Sequence, residues 1–306
     1  MSADTRAAPR VSKTAWLDFI AISFCTLAWG TTWFAITLQL GVVDPVVSIT
    51  YRFALAAALL FAWCVLRRQT LKLSRAQHLA ALGIGMFTFA IDYAFVYWAE
   101  ERVTSAVVAV VFAAMAFINL IVFRIVFRQK AAPLAWFAAG LGVVGVALLS
   151  WEELVSSNMS PRAWTGIGLT CAGVLAACVG NVYARRAELA GAGVAASTGW
   201  AMAYGAGLLA LFALFTGRAW TFEFTWPYVL SLLHLSIIGS VIAFLLYYGL
   251  ARRRGYALAS YISALTPPVA MTVSALFEDK TWGLLALGGV GLVLLGQVLL
   301  MRARRS

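Results

Sequence analysis

Trp98-Ala99-Glu100-Glu101-Arg102 closes the third apolar run of the chain, and Leu250-Ala251-Arg252-Arg253-Arg254 closes the eighth. The runs around these two stretches share a register. A shift of 151 lays Tyr97 on Tyr248, Ala106 on Ala257, Ala113 on Ala264, Gly140 on Gly291 and Gly145 on Gly296. A shift of 150 lays Gly30-Thr31-Thr32-Trp33 on Gly180-Asn181-Val182-Tyr183. Matching corners therefore carry opposite charge. Five runs per half is an odd number, so the second half must enter a bilayer in the opposite sense. A corner that faces out in one half then faces in for the other, and positive charge beside short loops stays cytoplasmic. The expected fold is all-α and integral to the membrane, with ten transmembrane helices arranged as two inverted five-helix repeats, an architecture associated with alternating access.

Composition leaves no other class. Of 306 residues, 63% are apolar and 11% charged, and the mean hydropathy is +0.89. Soluble domains run at about 45–50% apolar and about 25% charged. At about 20 residues per span, the runs at 16–38, 45–66, 77–99, 104–127, 133–151, 163–184, 195–216, 226–250, 256–277 and 282–301 leave only short connections. A soluble enzyme, a receptor ectodomain and a nucleic-acid binder are excluded. The first run follows Arg6, Arg10 and Lys13 like a signal peptide. Its apolar stretch is too long and lacks a small-x-small cleavage site, so it reads as a retained helix.

Alternating the loops separates the charges. One side collects Arg6, Arg10, Lys13, Arg67, Arg68, Lys72, Arg75, Arg124, Arg128, Lys130, Arg185, Arg186, Arg252 to Arg254, Arg302, Arg304 and Arg305. The other holds Arg102, Arg162, Arg218 and Lys280 with most of the acids. The net charge of +11 is thus a topology signal, helped by anionic headgroups on the cytoplasmic side. Both termini are expected in the cytoplasm of a bacterial inner membrane. The expected divisions are a cytoplasmic tail at 1–15, a first repeat at 16–151, a periplasmic linker at 152–162, a second repeat at 163–301 and a basic cytoplasmic tail at 302–306. Cys25, Cys64, Cys171 and Cys178 all fall inside spans and read as small buried groups rather than disulfide partners. With His78 and His234 the only histidines, no metal site and no cofactor are expected.

Trp29-Gly30 followed by Phe34-Ala35-Ile36 opens the chain, Arg52 lies in the second run, and Ser263-Ala264-Leu265-Thr266-Pro267 precedes Leu276-Phe277-Glu278 near the end. On these residues the chain resembles the drug/metabolite transporter superfamily, specifically its EamA-type members. Among them it is most similar to the YddG-type exporters of aromatic amino acids. The first half departs from the pattern, with Met115-Ala116 in place of a proline and Phe127-Arg128 in place of Gly-Glu. The resemblance implies a substrate cavity among helices one, three, four, six, eight and nine. Those helices carry the candidates Trp29, Trp33, Asp92, Tyr93, Tyr97, Met115, Asn119, Asn181, His234, Phe244 and Tyr261.

Ionisable groups inside spans are costly and mark sites by default. Arg52 and Asp92 both lie about 10 Å below the outer surface at 1.5 Å per residue, which predicts an ion pair that either locks two helices or meets substrate. His234 could titrate near neutrality or bond a neighbouring helix, and Asn119 and Asn181 could glue helices. Ten of the twelve tryptophans sit near span ends as an aromatic belt. Trp29 and Trp33 do not, and share one face of helix one, where they form either a stacking ledge or a packing surface. Tyr93 with Tyr97, and Phe244 with Tyr247 or Tyr248, repeat that spacing. Thr266-Pro267-Pro268 should kink helix nine, as a gate or as a static bend.

An aromatic cavity with few charges suits amino acids or amphipathic metabolites better than phosphorylated sugars, and the expected function is amino acid export. Efflux of drugs or other small metabolites is the alternative within the class. No Walker A sequence is present. An intramembrane enzyme would need a nucleophile and base, or metal ligands, at one depth. A channel would need a ring of charges or carbonyls. Small molecules and the lipid bilayer are the expected partners, not nucleic acid.

Overall fold

The computed structural model describes residues 13–129, 132–156, 158, 160–279 and 281–303. These form ten helical rods: α1 (Lys13–Thr37), α2 (Pro45–Leu66), α3 (Arg75–Glu100), α4 (Ser105–Phe127), α5 (Pro133–Ser156), α6 (Pro161–Leu189), α7 (Val194–Phe215), α8 (Trp226–Arg254), α9 (Tyr261–Phe277, preceded by one turn at Tyr256–Ala259) and α10 (Leu284–Arg302). No strand occurs among the described residues. Seven rods, α1 to α4 and α6 to α8, are long and apolar enough to cross a membrane. The other three carry shorter apolar stretches, at Pro133–Leu149, Leu265–Phe277 and Leu284–Gly296.

Local chemistry sets the boundaries. Asp44 accepts from the Val46 amide at 2.9 Å ahead of Pro45 at the first position of α2, where a missing N–H costs nothing. Ser74 and Gln77 form a reciprocal capping box on α3, satisfying two otherwise orphaned groups. Ser160 and Pro161 open α6 in the same manner as α2. Gly255, at φ +90°, ends α8 in a conformation that glycine adopts without steric cost. The linker expected at 152–162 is shorter than the charges suggest, because α5 continues to Ser156 and α6 begins at Pro161. Glu152 and Glu153 are ordinary helix formers and do not stop the helix.

The two halves meet through equivalent contacts. A Cβ on Gly145 of α5 would lie 2.4 Å from the Gly289 carbonyl oxygen of α10, and one on Gly296 would lie 2.6 Å from the Ala138 carbonyl oxygen. Positions 145 and 296, like 138 and 289, differ by the repeat length. The two are therefore one contact seen from each half. Rising numbers on α5 meet falling numbers on α10, so equivalent helices run antiparallel. Small residues let the backbones approach this closely. The second helices also face each other, with Phe61 of α2 against Trp200 of α7 at 5.2 Å between rings.

Charges collect at two ends. At one, Asp18 pairs with Arg253 (3.0 Å) and Arg254 (2.6 Å), and Arg252 donates to the Ala192 carbonyl. At the other, Arg218 pairs with Asp44 at 3.1 Å and Arg162 donates to the Glu101 carbonyl. There the Glu152 carboxylate accepts from the Gly283 and Ala286 amides at the start of α10. Between the ends, large apolar side chains such as Leu27, Val143 and Leu175 are exposed, as a lipid-facing surface requires. Cys25, Cys64 and Cys178 are buried, but Cys171 is exposed on α6, because small residues on that helix alternate between its packed and outer faces.

Candidate functional site

The third helix of each half departs from α geometry at the same place. In α3 the stretch Gly85–Asp92 is π-helical, and in α8 the stretch His234–Ile242 is. Wider turns leave carbonyls to be satisfied locally, and Ser240 donates its hydroxyl to the Leu235 carbonyl at 2.8 Å. Such segments concentrate at functional sites. Here both lead directly into a central cavity.

The cavity lies among α1, α3, α4, α6, α8 and α9. From α1 come Trp29, Thr32, Trp33 and Ile36; from α3, Thr88, Asp92, Tyr93 and Val96; from α4, Phe112 and Met115. Ala177 and Asn181 of α6 face Phe244, Tyr247 and Tyr248 of α8, and Ser263 and Thr266 of α9 complete the wall. The cavity measures about 70 Å³, counted as room for the centres of water molecules. A water needs about 10–15 Å³ on that measure, so the present arrangement holds a few waters. Admitting a larger solute requires side chains or helices to part.

Three polar atoms in the wall have no partner. Trp33 Nε1, Thr88 Oγ1 and Asp92 Oδ1 are all buried and unbonded. A buried carboxylate oxygen left unpaired costs roughly 1–3 kcal/mol or more, which a bound donor would relieve. Other wall groups are engaged. Trp29 Nε1 donates to the Gly239 carbonyl at 3.0 Å, and its ring lies edge-on to Phe244 at 5.3 Å. Tyr247 donates to Asn181 Oδ1 at 3.4 Å. Trp33 packs on Phe112 with centroids 5.0 Å apart.

The expected Arg52–Asp92 ion pair does not form. Arg52 Nε donates to Ser240 Oγ at 3.0 Å, and Nη2 reaches the Tyr93 hydroxyl at 3.4 Å. The guanidinium lies 4.4 Å over the Tyr93 ring, in cation–π range. Asp92 instead faces α6, where a Cβ on Gly173 would stand 3.2 Å from its Oδ1. In the π stretch Asp92 points away from α2, and Tyr93 meets Arg52 in its place.

Not every candidate reaches the cavity. His234 is half-buried and bonds Thr31 at 3.2 Å. Asn119 donates to Ser260 Oγ at 2.9 Å behind the wall. Tyr97 is fully buried one turn above Tyr93, outside the lining. The Tyr261 side chain lies outside the described residues. Helix α9 continues unbroken through Pro267 and Pro268, and its interruption falls at Ser260. Part of the reason is local: Thr266 Oγ1 donates at 2.9 Å to the Ser263 carbonyl, the acceptor that Pro267 cannot serve. Thr32, Thr88, Phe112, Ser263 and Thr266 were missed. Thr266 and Ser263 carried a usable signal, polar groups one turn apart beside a proline at membrane depth.

Known proteins place this arrangement. A solved crystal structure superposes on the chain with a TM-score of 0.69, covering 96% of this chain and 100% of that one at 18% identity, a likeness that speaks for the fold alone. The inner membrane transporter YedA of Escherichia coli K12 is 28% identical, over 92% of this chain and 89% of its own. Protein PagO of Salmonella typhimurium is 26% identical, over 86% and 84%. The EamA-like transporter family matches residues 16–151 and again 159–302, one match in each half. Covering nearly the whole chain in two consecutive copies, that match makes this protein a member of the EamA-like transporter family, a membrane transporter built on the drug/metabolite transporter fold.

Proposed function

We propose that this transporter exports amino acids from the bacterial cytoplasm, with preference for aromatic side chains, by rocking its two repeats around the central cavity. The observation that carries the reading is that two of the unpartnered wall atoms, Asp92 Oδ1 and Trp33 Nε1, offer one acceptor and one donor among the rings of Trp29, Trp33, Phe112, Phe244 and Tyr248. A zwitterion answers both. Its ammonium donates to Asp92, its carboxylate accepts from Trp33, and a flat side chain lies against the rings, whose pairing is worth about 0.5–1.5 kcal/mol beyond burial. Arg52, behind Tyr93, sets a positive charge on the same side. In this reading all ten rods cross the inner membrane, and both termini lie in the cytoplasm with the Asp18–Arg253 end.

Counterflow in proteoliposomes with a panel of labelled amino acids tests the proposal. Phenylalanine, tryptophan and leucine should exchange. A carboxylate among rings also suits a cationic amphiphile, so exchange of a cationic dye with none of the amino acids would replace amino acid export by drug efflux. Trp33→Ala should reduce exchange of tryptophan and phenylalanine about fivefold, the order expected from one ring contact, and leave alanine or serine much less affected. Equal loss for every substrate would assign Trp33 to packing.

A further inference from the structure

The three unpartnered atoms of the cavity wall stand at two levels. Asp92 Oδ1 and the Phe112 ring both lie against Gly173 of α6, where a Cβ would stand 3.2 Å from the carboxylate oxygen and 3.6 Å from the ring. Trp33 packs on that same ring. Thr88 Oγ1 lies instead against Gly180, so close that a Cβ there would overlap it. Seven residues of α6 separate the two levels, about 10 Å at 1.5 Å per residue, which is comparable with the length of an aromatic amino acid from its ammonium group to the tip of its ring. Thr88 is 6% exposed and belongs to the π stretch of α3. A threonine in a helix commonly donates to a carbonyl of the preceding turn. The other threonines and the serine of the wall do so: Thr32 to Trp29 at 3.0 Å, Thr266 to Ser263 at 2.9 Å and Ser263 to Ser260 at 2.5 Å. Thr88 does not. The Tyr248 phenol comes near it without bonding it, and Asn181, beside Gly180, is already engaged by Tyr247.

We propose that Thr88 is the specificity-determining residue of the cavity: its hydroxyl takes the polar tip of the carried side chain, so that aromatic amino acids ending in a phenol O–H or an indole N–H are preferred to phenylalanine and to aliphatic amino acids. This preference rests on the export reading, in which Asp92 and Trp33 hold the ammonium and carboxylate groups. With the zwitterion at their level, a flat side chain runs along α6 toward Gly180 and brings its tip to Thr88. A phenol or an indole donates to Oγ1, and the Thr88 hydroxyl donates in turn to a phenol oxygen. Phenylalanine fills the same space but leaves Oγ1 buried and unpaired, which is costly. A site built to bond a hydroxyl discriminates strongly against the analogue that lacks one. Gly180 is part of the device, because a methyl group there would displace the hydroxyl from its place.

The test uses the full-length protein in proteoliposomes, with half-saturation concentrations for counterflow of phenylalanine, tyrosine and 4-fluorophenylalanine. In the native protein tyrosine should half-saturate at a concentration about fivefold below phenylalanine, the order expected of one net hydrogen bond. The fluorinated analogue carries a substituent at the same position but no donor, and should behave as phenylalanine does. Thr88→Val, which keeps the shape and removes the hydroxyl, should bring tyrosine to the phenylalanine value while leaving phenylalanine unchanged or tighter. Thr88→Ser should keep the preference. If Thr88→Val does not fold, the native comparison of tyrosine with 4-fluorophenylalanine decides. Equal values for those two in the native protein, or a preference that survives Thr88→Val, would overturn the assignment and leave amino acid export standing. Parallel weakening of all three by Thr88→Val would make Thr88 a packing residue. Exchange of none of the three by the native protein would overturn the export reading, and this preference with it.

Discussion

Arg52→Met should cut amino acid exchange sharply without lowering the melting temperature. Arg52 is 1% exposed and has no carboxylate partner among the described residues. Its bonds go to Ser240 and Tyr93, and Nη1 has none. A buried charge held by neutral groups alone is expensive, and replacement by an apolar side chain of similar volume is often neutral or stabilising by about 1–4 kcal/mol. Stability therefore does not account for an arginine here. Its position does: it fixes the Tyr93 phenol from behind and places a buried guanidinium beside the cavity. Methionine removes both, and exchange should fall at least about tenfold, the scale of one charge-assisted hydrogen bond. Melting curves and counterflow on the same preparation separate the outcomes. A large loss of melting temperature with exchange per folded molecule unchanged would assign Arg52 to helix locking.

Asp92→Asn should raise the half-saturation concentration for every amino acid, aromatic or small, by about ten- to a hundredfold. Hydrogen bonds to a charged group are worth about 1.5–3 kcal/mol, and the substitution keeps shape while removing the charge that an ammonium group needs. Since Asp92 Oδ1 has no hydrogen-bond partner in the protein, the asparagine variant gives up no hydrogen bond at that atom and should fold normally. Its pattern differs from that of Trp33→Ala, which discriminates between side chains. Unchanged affinity in a folded Asp92→Asn protein would remove Asp92 from the binding site and leave the zwitterion reading without its acid.

Much of this architecture was legible beforehand, for reasons of scale. Span positions follow from hydropathy over about twenty residues, and α2 falls at 45–66 as read because Asp44-Pro45 and Arg67-Arg68 punctuate both ends. The duplication survived because Gly145 and Gly296 are held by close backbone approach, which preserves spacing. The site was less legible. Depth can be counted along a helix, but azimuth cannot once a π stretch intervenes, and so Tyr93 rather than Asp92 meets Arg52. Azimuth also decides that Asn119 and Tyr97 lie behind the wall while Asn181 and Tyr93 lie in it. No composition rule distinguishes them. Glu100 was read only as a corner charge for a different reason: at the end of a span an acid reads as a solvated loop charge, whereas tertiary packing at the end of α3 buries it.

Antiparallel insertion of the two halves is tested most directly from outside. Single cysteines placed at Glu101 and at Arg253, in a chain lacking Cys25, Cys64, Cys171 and Cys178, can be labelled in intact cells and in inverted vesicles with an impermeant maleimide. Position 101 should react only in intact cells and position 253 only in inverted vesicles. Reaction of both from a single face would contradict the inverted pair of repeats, and with it the cavity's role as a site reached alternately from the two sides.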